Sequence, residues 1–124
     1  MSIEGNTQAL LQVNGKGAKN GVGAYEYEWI NCASLLGWLD LSTGDSKHTS
    51  FNAKIQESTH IFLCDYQPLS CKVEEQEKII QVTSDNARMV INGLVYEILL
   101  IDNPMEMNEH YEIYLKFVGG QNVN

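Results

Sequence analysis

Hydrophobic and polar positions alternate with a period of two over much of the chain. From Ala24 onward, Tyr25, Tyr27 and Trp29 are interleaved with Glu26 and Glu28, the signature of a strand with one wet face, and the aromatic face is expected to point inward. Leu35, Leu36, Trp38, Leu39 and Leu41 then crowd around Gly37. They read as a second strand, bent or bulged at that glycine, with a short helix over Asn31–Leu36 as the competing reading. Strand character returns over Ser58–Tyr66 and Lys78–Thr83, separated by Pro68 and the acidic stretch of Glu74, Glu75 and Glu77.

The strongest local signal is Arg88–Ile101, two apolar runs joined by Asn92-Gly93. That dipeptide accepts the positive φ angles of a type I′ turn, so the segment is a hairpin. Asp102-Asn103-Pro104 stops it, because proline has no N–H for a ladder and restricts the residue before it. A last strand is expected over His110–Val118, with Tyr111, Ile113, Leu115 and Phe117 on one face. About six short, mostly antiparallel strands at spacings of roughly ten residues, without a long amphipathic helix, predict an all-β domain, a small barrel or a sandwich.

Two stretches break the pattern. Gln12–Gly23 holds Gly15, Gly17, Gly21 and Gly23 with Lys16 and Lys19. It reads as a mobile loop, and residues 1–23 as a flexible glycine-rich segment serving as an arm or a first strand. A phosphate loop would require Gly-Lys-Ser/Thr opening a helix, and that context is missing. The second is the long polar connection between early strands, Ser42-Thr43-Gly44-Asp45-Ser46-Lys47-His48-Thr49-Ser50-Phe51-Asn52-Ala53-Lys54-Ile55-Gln56-Glu57. Connections of this length in a small domain carry a function or are disordered. The body of the domain is then 24–120, and 121–124 is a frayed tail.

Composition narrows the class. A chain of 124 residues, 44% hydrophobic and 19% charged, suffices for one core and is too apolar for disorder. No stretch has the roughly 20 apolar residues of a membrane span. The start, Met1-Ser2-Ile3-Glu4-Gly5, lacks the basic and apolar segments of a secretion signal. Cys32, Cys64 and Cys71 are odd in number and form no Cys-x-x-Cys pair, which fits reduced thiols in a cytoplasm. With sixteen acidic against eight basic side chains the net charge is -8, and the cations are scattered. Tight phosphate binding needs them concentrated. Strand aromatics also serve as base-stacking platforms, but Glu26 and Glu28 between them argue for a core face over single-stranded nucleic acid.

Candidate chemistry is thin. His60 and Cys64 lie four apart on one strand face, yet two ligands do not make a zinc site, and Cys64 reads as a small core residue. No nucleophile motif surrounds Cys32, Cys64 or any serine relative to His48, His60 or His110. Glu74, Glu75 and Glu77 read as a solvated face. No catalytic residue, metal ligand or cofactor is expected, so the protein is not read as an enzyme.

Glu57-Ser58-Thr59-His60-Ile61-Phe62-Leu63-Cys64-Asp65-Tyr66, the hairpin Val90-Ile91-Asn92-Gly93-Leu94-Val95-Tyr96-Glu97-Ile98, the Asp102-Asn103-Pro104 stop and the terminal His110-Tyr111-Glu112-Ile113-Tyr114-Leu115 together resemble phage head-closure proteins. These are the "stopper" subunits of the head-tail connector, and the nearest likeness is to those of Bacillus PBSX-like defective prophages. The resemblance spans roughly Ala24–Gly120 in strand and turn patterns. It implies a small β-barrel that assembles with its own copies into a ring below the portal and its adaptor, seals packaged DNA and docks the tail-completion or tail-terminator protein. DNA would be a non-adhesive passenger in the channel, and no membrane is involved. The protein would act in the host cytoplasm during assembly and then in the virion. The segment matching the family's channel loop is Ser42–Glu57, with Gly44, Lys47, His48 and Lys54 its notable members. An adaptor or tail-terminator subunit is the alternative, followed by a single-stranded nucleic-acid-binding barrel.

Overall fold

Inward-facing alternation begins earlier in the chain than the pattern suggested. Ala9, Leu11 and Val13 are fully buried on a strand, β1 (Thr7–Lys19), that runs on through Gly15 and Gly17. The computed structural model describes residues 5–19, 25–41, 58–73 and 78–119. The other strands among the described residues are β2 (Tyr25–Leu41), β3 (His60–Asp65), β4 (Ser70–Val73), β5 (Lys78–Gln81), β6 (Ala87–Ile91), β7 (Leu94–Asp102) and β8 (His110–Gly119), with a 3₁₀ turn at Pro104–Glu106. Six of them close an antiparallel barrel in the order β1-β2-β3-β8-β7-β6, and β4 and β5 form a separate two-stranded sheet. The domain is therefore all-β and barrel-like.

A barrel of so few strands is filled by its own side chains. The lumen holds Phe62, Met89, Ile91, Ile113 and Leu115, packed with Leu35, Ile98 and Tyr111. Closure depends on β1, whose Leu10–Val13 pair with Val90–Ala87 of β6. The loop expected from Gln12 is thus corrected over Gln12–Lys19. Glycine is a weak strand former, but pairing of β1 with β2, which sets Gly15 opposite Glu28 and resumes at Lys19 past an irregularity at Gly17 and Ala18, supplies backbone hydrogen bonds that override propensity.

Strand β2 corrects two more expectations. A single strand spans what read as two, and the helix over Asn31–Leu36 does not form. No register shift occurs at Gly37. The β1–β2 register is instead irregular at two places, between Lys16↔Tyr27 and Lys19↔Tyr25 and between Leu11↔Ala33 and Gln12↔Asn31; at the second, Cys32 is the extra residue of a bulge. One inserted residue inverts the inside–outside phase between its two flanks. Ala33 and Leu35 face the lumen with Leu11 and Ala9, whereas Trp29 pairs with the exposed Asn14 and lies on the outer wall. Trp29 is therefore not part of an inward aromatic face. The side chains of Tyr25 and Tyr27 lie outside the described set.

Among the described residues, Asn14 still donates its N–H to the Asn86 carbonyl at 2.7 Å, β1 from Gly15 onward pairs with β2 alone, and β2 joins β3 only from Gly37 onward. The β1–β2 ribbon consequently overhangs the barrel by about 16 Å at 3.3 Å per residue. The Asn92-Gly93 turn is as expected, with φ of 54° and 78° and β6 and β7 pairing up to Ile91↔Leu94. On β8, Tyr111, Ile113 and Leu115 are buried, but Phe117 is 43% exposed. It keeps the inward phase and stands at the barrel mouth, its ring 5.6 Å from that of Tyr96. Strand β4 was hidden in the sequence by the charged stretch that follows it.

Candidate functional site

The expected channel segment, Ser42–Glu57, lies outside the described residues. Its flanks do not: Leu41 ends β2 and pairs with His60, which opens β3. Both flanks stand at one barrel mouth. There Leu41 is 69% exposed, and the rings of His60 and Tyr96 meet edge to face at 5.1 Å.

Thr59 secures that mouth. Its backbone N–H donates to the Leu115 carbonyl at 2.8 Å, and its Oγ1 accepts the Phe117 N–H at 2.8 Å. The same oxygen lies 2.9 Å from Nδ1 of His60, within reach for general-base chemistry. The hydroxyl is nevertheless engaged with the β8 backbone, and the imidazole rests on Tyr96 in place of an orienting carboxylate. The arrangement clasps β3 to β8. Sequence reading missed it, because Thr59 acts through residues some fifty-six positions away.

The opposite end carries the β7–β8 connection, where Met105 is 87% and Met107 58% exposed. Met105, Glu106 and Asn108 have φ of 54° to 57°, a left-handed conformation that is costly for side-chain-bearing residues. Asn103 holds the turn, donating to Asn108 Oδ1 at 2.7 Å and accepting the Asn108 N–H at 3.1 Å. Behind it on the outer wall, Tyr114 donates to Glu112 at 3.1 Å, and His110 lies 3.3 Å from the other Glu112 oxygen. Burial, then the Glu112 carboxylate, pushes the Tyr114 hydroxyl up to about 12. Asp102, facing Glu112 across the ladder, is raised by burial and by that same carboxylate.

The most built feature of the outer wall is a row of four side chains across β2, β1 and β6. Gln12, only 2% exposed, donates to Asn31 Oδ1 at 2.9 Å and accepts from Nε of Arg88 at 2.8 Å. The Arg88 guanidinium stacks 4.3 Å from the Trp29 ring centroid, so cation–π attraction and a buried amide fix it together. It borders an open cleft of about 580 Å³ along β6 and β7, with Asp85, Glu97, Leu99 and Val118 among the other walls. An immobilised guanidinium beside aliphatic surface suits a polypeptide contact. Gln12→Ala should leave the half-buried Arg88 Nε under-satisfied and remove a buried amide from the wall. The expected cost is about 1–3 kcal/mol, read as a lower urea midpoint at unchanged slope.

Among the described residues, no three His, Cys, Asp or Glu side chains converge as a metal site. His60 and Cys64 are separated in role: His60 packs on Tyr96, while Cys64 is buried in the lumen. Burial and then the Asp65 charge push the Cys64 thiol up to about 11. Cys32 and Cys71 sit together at the joint between β2 and the β4–β5 sheet, a proximity that their spacing in sequence does not disclose. His48 lies outside the described residues. No protein-family model matches the chain, and no curated protein matches it significantly.

Proposed function

We propose that this protein is a head-closure subunit of a phage head-tail connector, a structural assembly protein that forms a ring between the portal-bound adaptor and the tail. The observation that carries the reading is the overhanging β1–β2 ribbon. Among the described residues, β2 from Tyr25 to Leu36 has a ladder partner only on its β1 side, with β4 packed against it at Asn31–Cys32, and β1 from Gly15 onward has a partner only on its β2 side. Unpaired strand edges are docking templates that neighbouring chains complete through backbone hydrogen bonds, and ring formation needs such a heterologous lateral contact.

Exposed apolar side chains add to this support. Leu41 and Phe117 occupy one barrel mouth, Met105 and Met107 the opposite end, and Leu36 and Trp38 the lateral wall of β2. A ring subunit needs these three directions, for the adaptor, the tail protein and its own copies. The net charge of -8, repeated around a ring, would keep a DNA duplex from adhering to the channel wall. Ser42–Glu57 is the channel segment of this reading, and its adjacent flanks at one mouth let it act without disturbing the barrel.

Particles from a phage lacking this protein should appear by electron microscopy as emptied heads beside intact free tails; DNA-filled, tailed particles would reject the reading. A shortened chain joining Leu41 to Ser58 through a brief Gly-Ser linker should keep its fold, because Leu41 and His60 are already paired and shortening a loop changes closure entropy little. Its melting temperature should stay within about 5 °C of wild type, while particles assembled with it should lose packaged DNA. DNA retention by those particles would remove the channel role from 42–57.

A further inference from the structure

The bulge residue of β2 is a cysteine, and a second cysteine faces it. Cys32 stands between Asn31 and Ala33, the partners of Gln12 and Leu11, and Cys71 stands in β4 opposite Ile80. The Cys32 thiol donates to the carbonyl of Ser70 at 3.6 Å, and the Cys71 thiol to the carbonyl of Asn31 at 4.0 Å. Each sulfur thus reaches the residue immediately preceding its counterpart. This reciprocity sets the two side chains face to face across the joint between the barrel and the β4–β5 sheet.

We propose that Cys32 and Cys71 are an oxidative modification site, converted to an intramolecular disulfide by exchange with a small-molecule disulfide such as oxidised glutathione. Cys32 is the half-exposed thiol and Cys71 the buried one, which orders the steps. The Cys32 thiolate attacks one sulfur of oxidised glutathione, forms a mixed disulfide and expels one glutathione thiolate. Cys71 then gives up its proton, attacks the Cys32 sulfur and expels the second glutathione. One S–S bond has replaced another, and the two electrons and two protons of the pair have passed to glutathione.

The protein sets the rate through burial, which with the neighbouring Cys71 pushes the Cys32 thiol up to about 12. Only the thiolate attacks, so closure is slow near neutrality and accelerates about tenfold per pH unit below that value. Cys64, enclosed in the lumen, is a bystander. The bond would pin the β4–β5 sheet to the barrel wall and close a loop containing residues 42–57. This inference goes beyond the ring reading and stands without it.

The test uses the purified full chain with oxidised glutathione at about pH 7 and about pH 9, followed by acid quench, thiol counting in denaturant, intact mass and peptide mapping. One of the three thiols should remain and the mass should fall by two hydrogens. A single peptide pair should join Cys32 to Cys71, with closure roughly a hundredfold faster at the higher pH. Cys64→Ser should close as wild type does. Cys71→Ser should stop at a glutathione adduct on Cys32, and should it fail to fold, the wild-type peptide map decides alone. Three thiols surviving prolonged exposure at the higher pH, a stable adduct on wild-type Cys32, or a link to Cys64 would each overturn the assignment.

Discussion

Gly37→Val is expected to cost at least about 3 kcal/mol and to lower the melting temperature by roughly 12 °C, because β2 passes its neighbours at backbone distance here. A Cβ on Gly37 would fall on the Leu63 carbonyl oxygen and within 2.8 Å of the Phe62 ring, and a Cβ on Gly5 would strike the Gly37 backbone from the other side. The obstructing oxygen belongs to the β3 ladder and cannot move without breaking pairing. Gly93→Ala is the contrasting case. Nothing lies within 4 Å of a Cβ there and only the positive φ opposes it, so about 1 kcal/mol is expected. Thermal unfolding of both variants checks the pair; equal costs would show that Gly37 serves conformational freedom and not close approach.

Phe62→Ala is expected to cost about 3–5 kcal/mol, as a fully buried ring leaves a cavity that a closed barrel relaxes into poorly. Phe62 is 0% exposed and pairs with Leu39 on one side and Ile113 on the other, so its ring occupies the lumen. A small domain holds about 5–15 kcal/mol in all, so this one change would consume a large share. Leu63→Ala, on the outer wall one residue away, should cost about 1 kcal/mol or less. Urea unfolding distinguishes the two positions, and comparable losses would contradict the inward phase of β3. Combining Gly37→Val with Phe62→Ala should not restore stability, since the Leu63 oxygen still blocks the valine.

Legibility in the sequence followed the range of the interactions. The β6–β7 hairpin was readable because a type I′ turn is decided by Asn92 and Gly93 alone. β3 and β8 were readable from their alternation, which the barrel preserves through Tyr111, Ile113 and Leu115. β1 was not, because its glycines argue locally for a loop while its place is set by pairing with β2 and β6. Trp29 was assigned to the wrong face because an inserted Cys32 reverses the phase, and no local pattern marks the insertion. Gly37 was read as a bend or bulge, but β2 runs through it in register, and its role as a point of backbone contact needed β3 beside it.

The candidate sites divide in the same way. The polar stretch Ser42–Glu57 could be singled out from composition, and the structure adds that its flanks are register partners. The Asn31, Gln12, Arg88 and Trp29 row draws on three strands far apart in sequence, and it exists only once their register is known. The Cys32–Cys71 pair likewise has no motif: their shared neighbourhood is made by the bulge in β2 and by the path of β4.

By itself the sequence determined a β-strand chain with one tight hairpin, a proline-terminated β7, a net acidic surface and no catalytic motif, since each of these depends on residue type or on near neighbours. Only the tertiary structure decided that the sheet closes through β1, which face each side of β2 presents, why Gly37 must lack a side chain and which thiols meet. Closure and register are settled by hydrogen bonds and burial summed over residues far apart in the chain, and a local pattern carries no record of that sum.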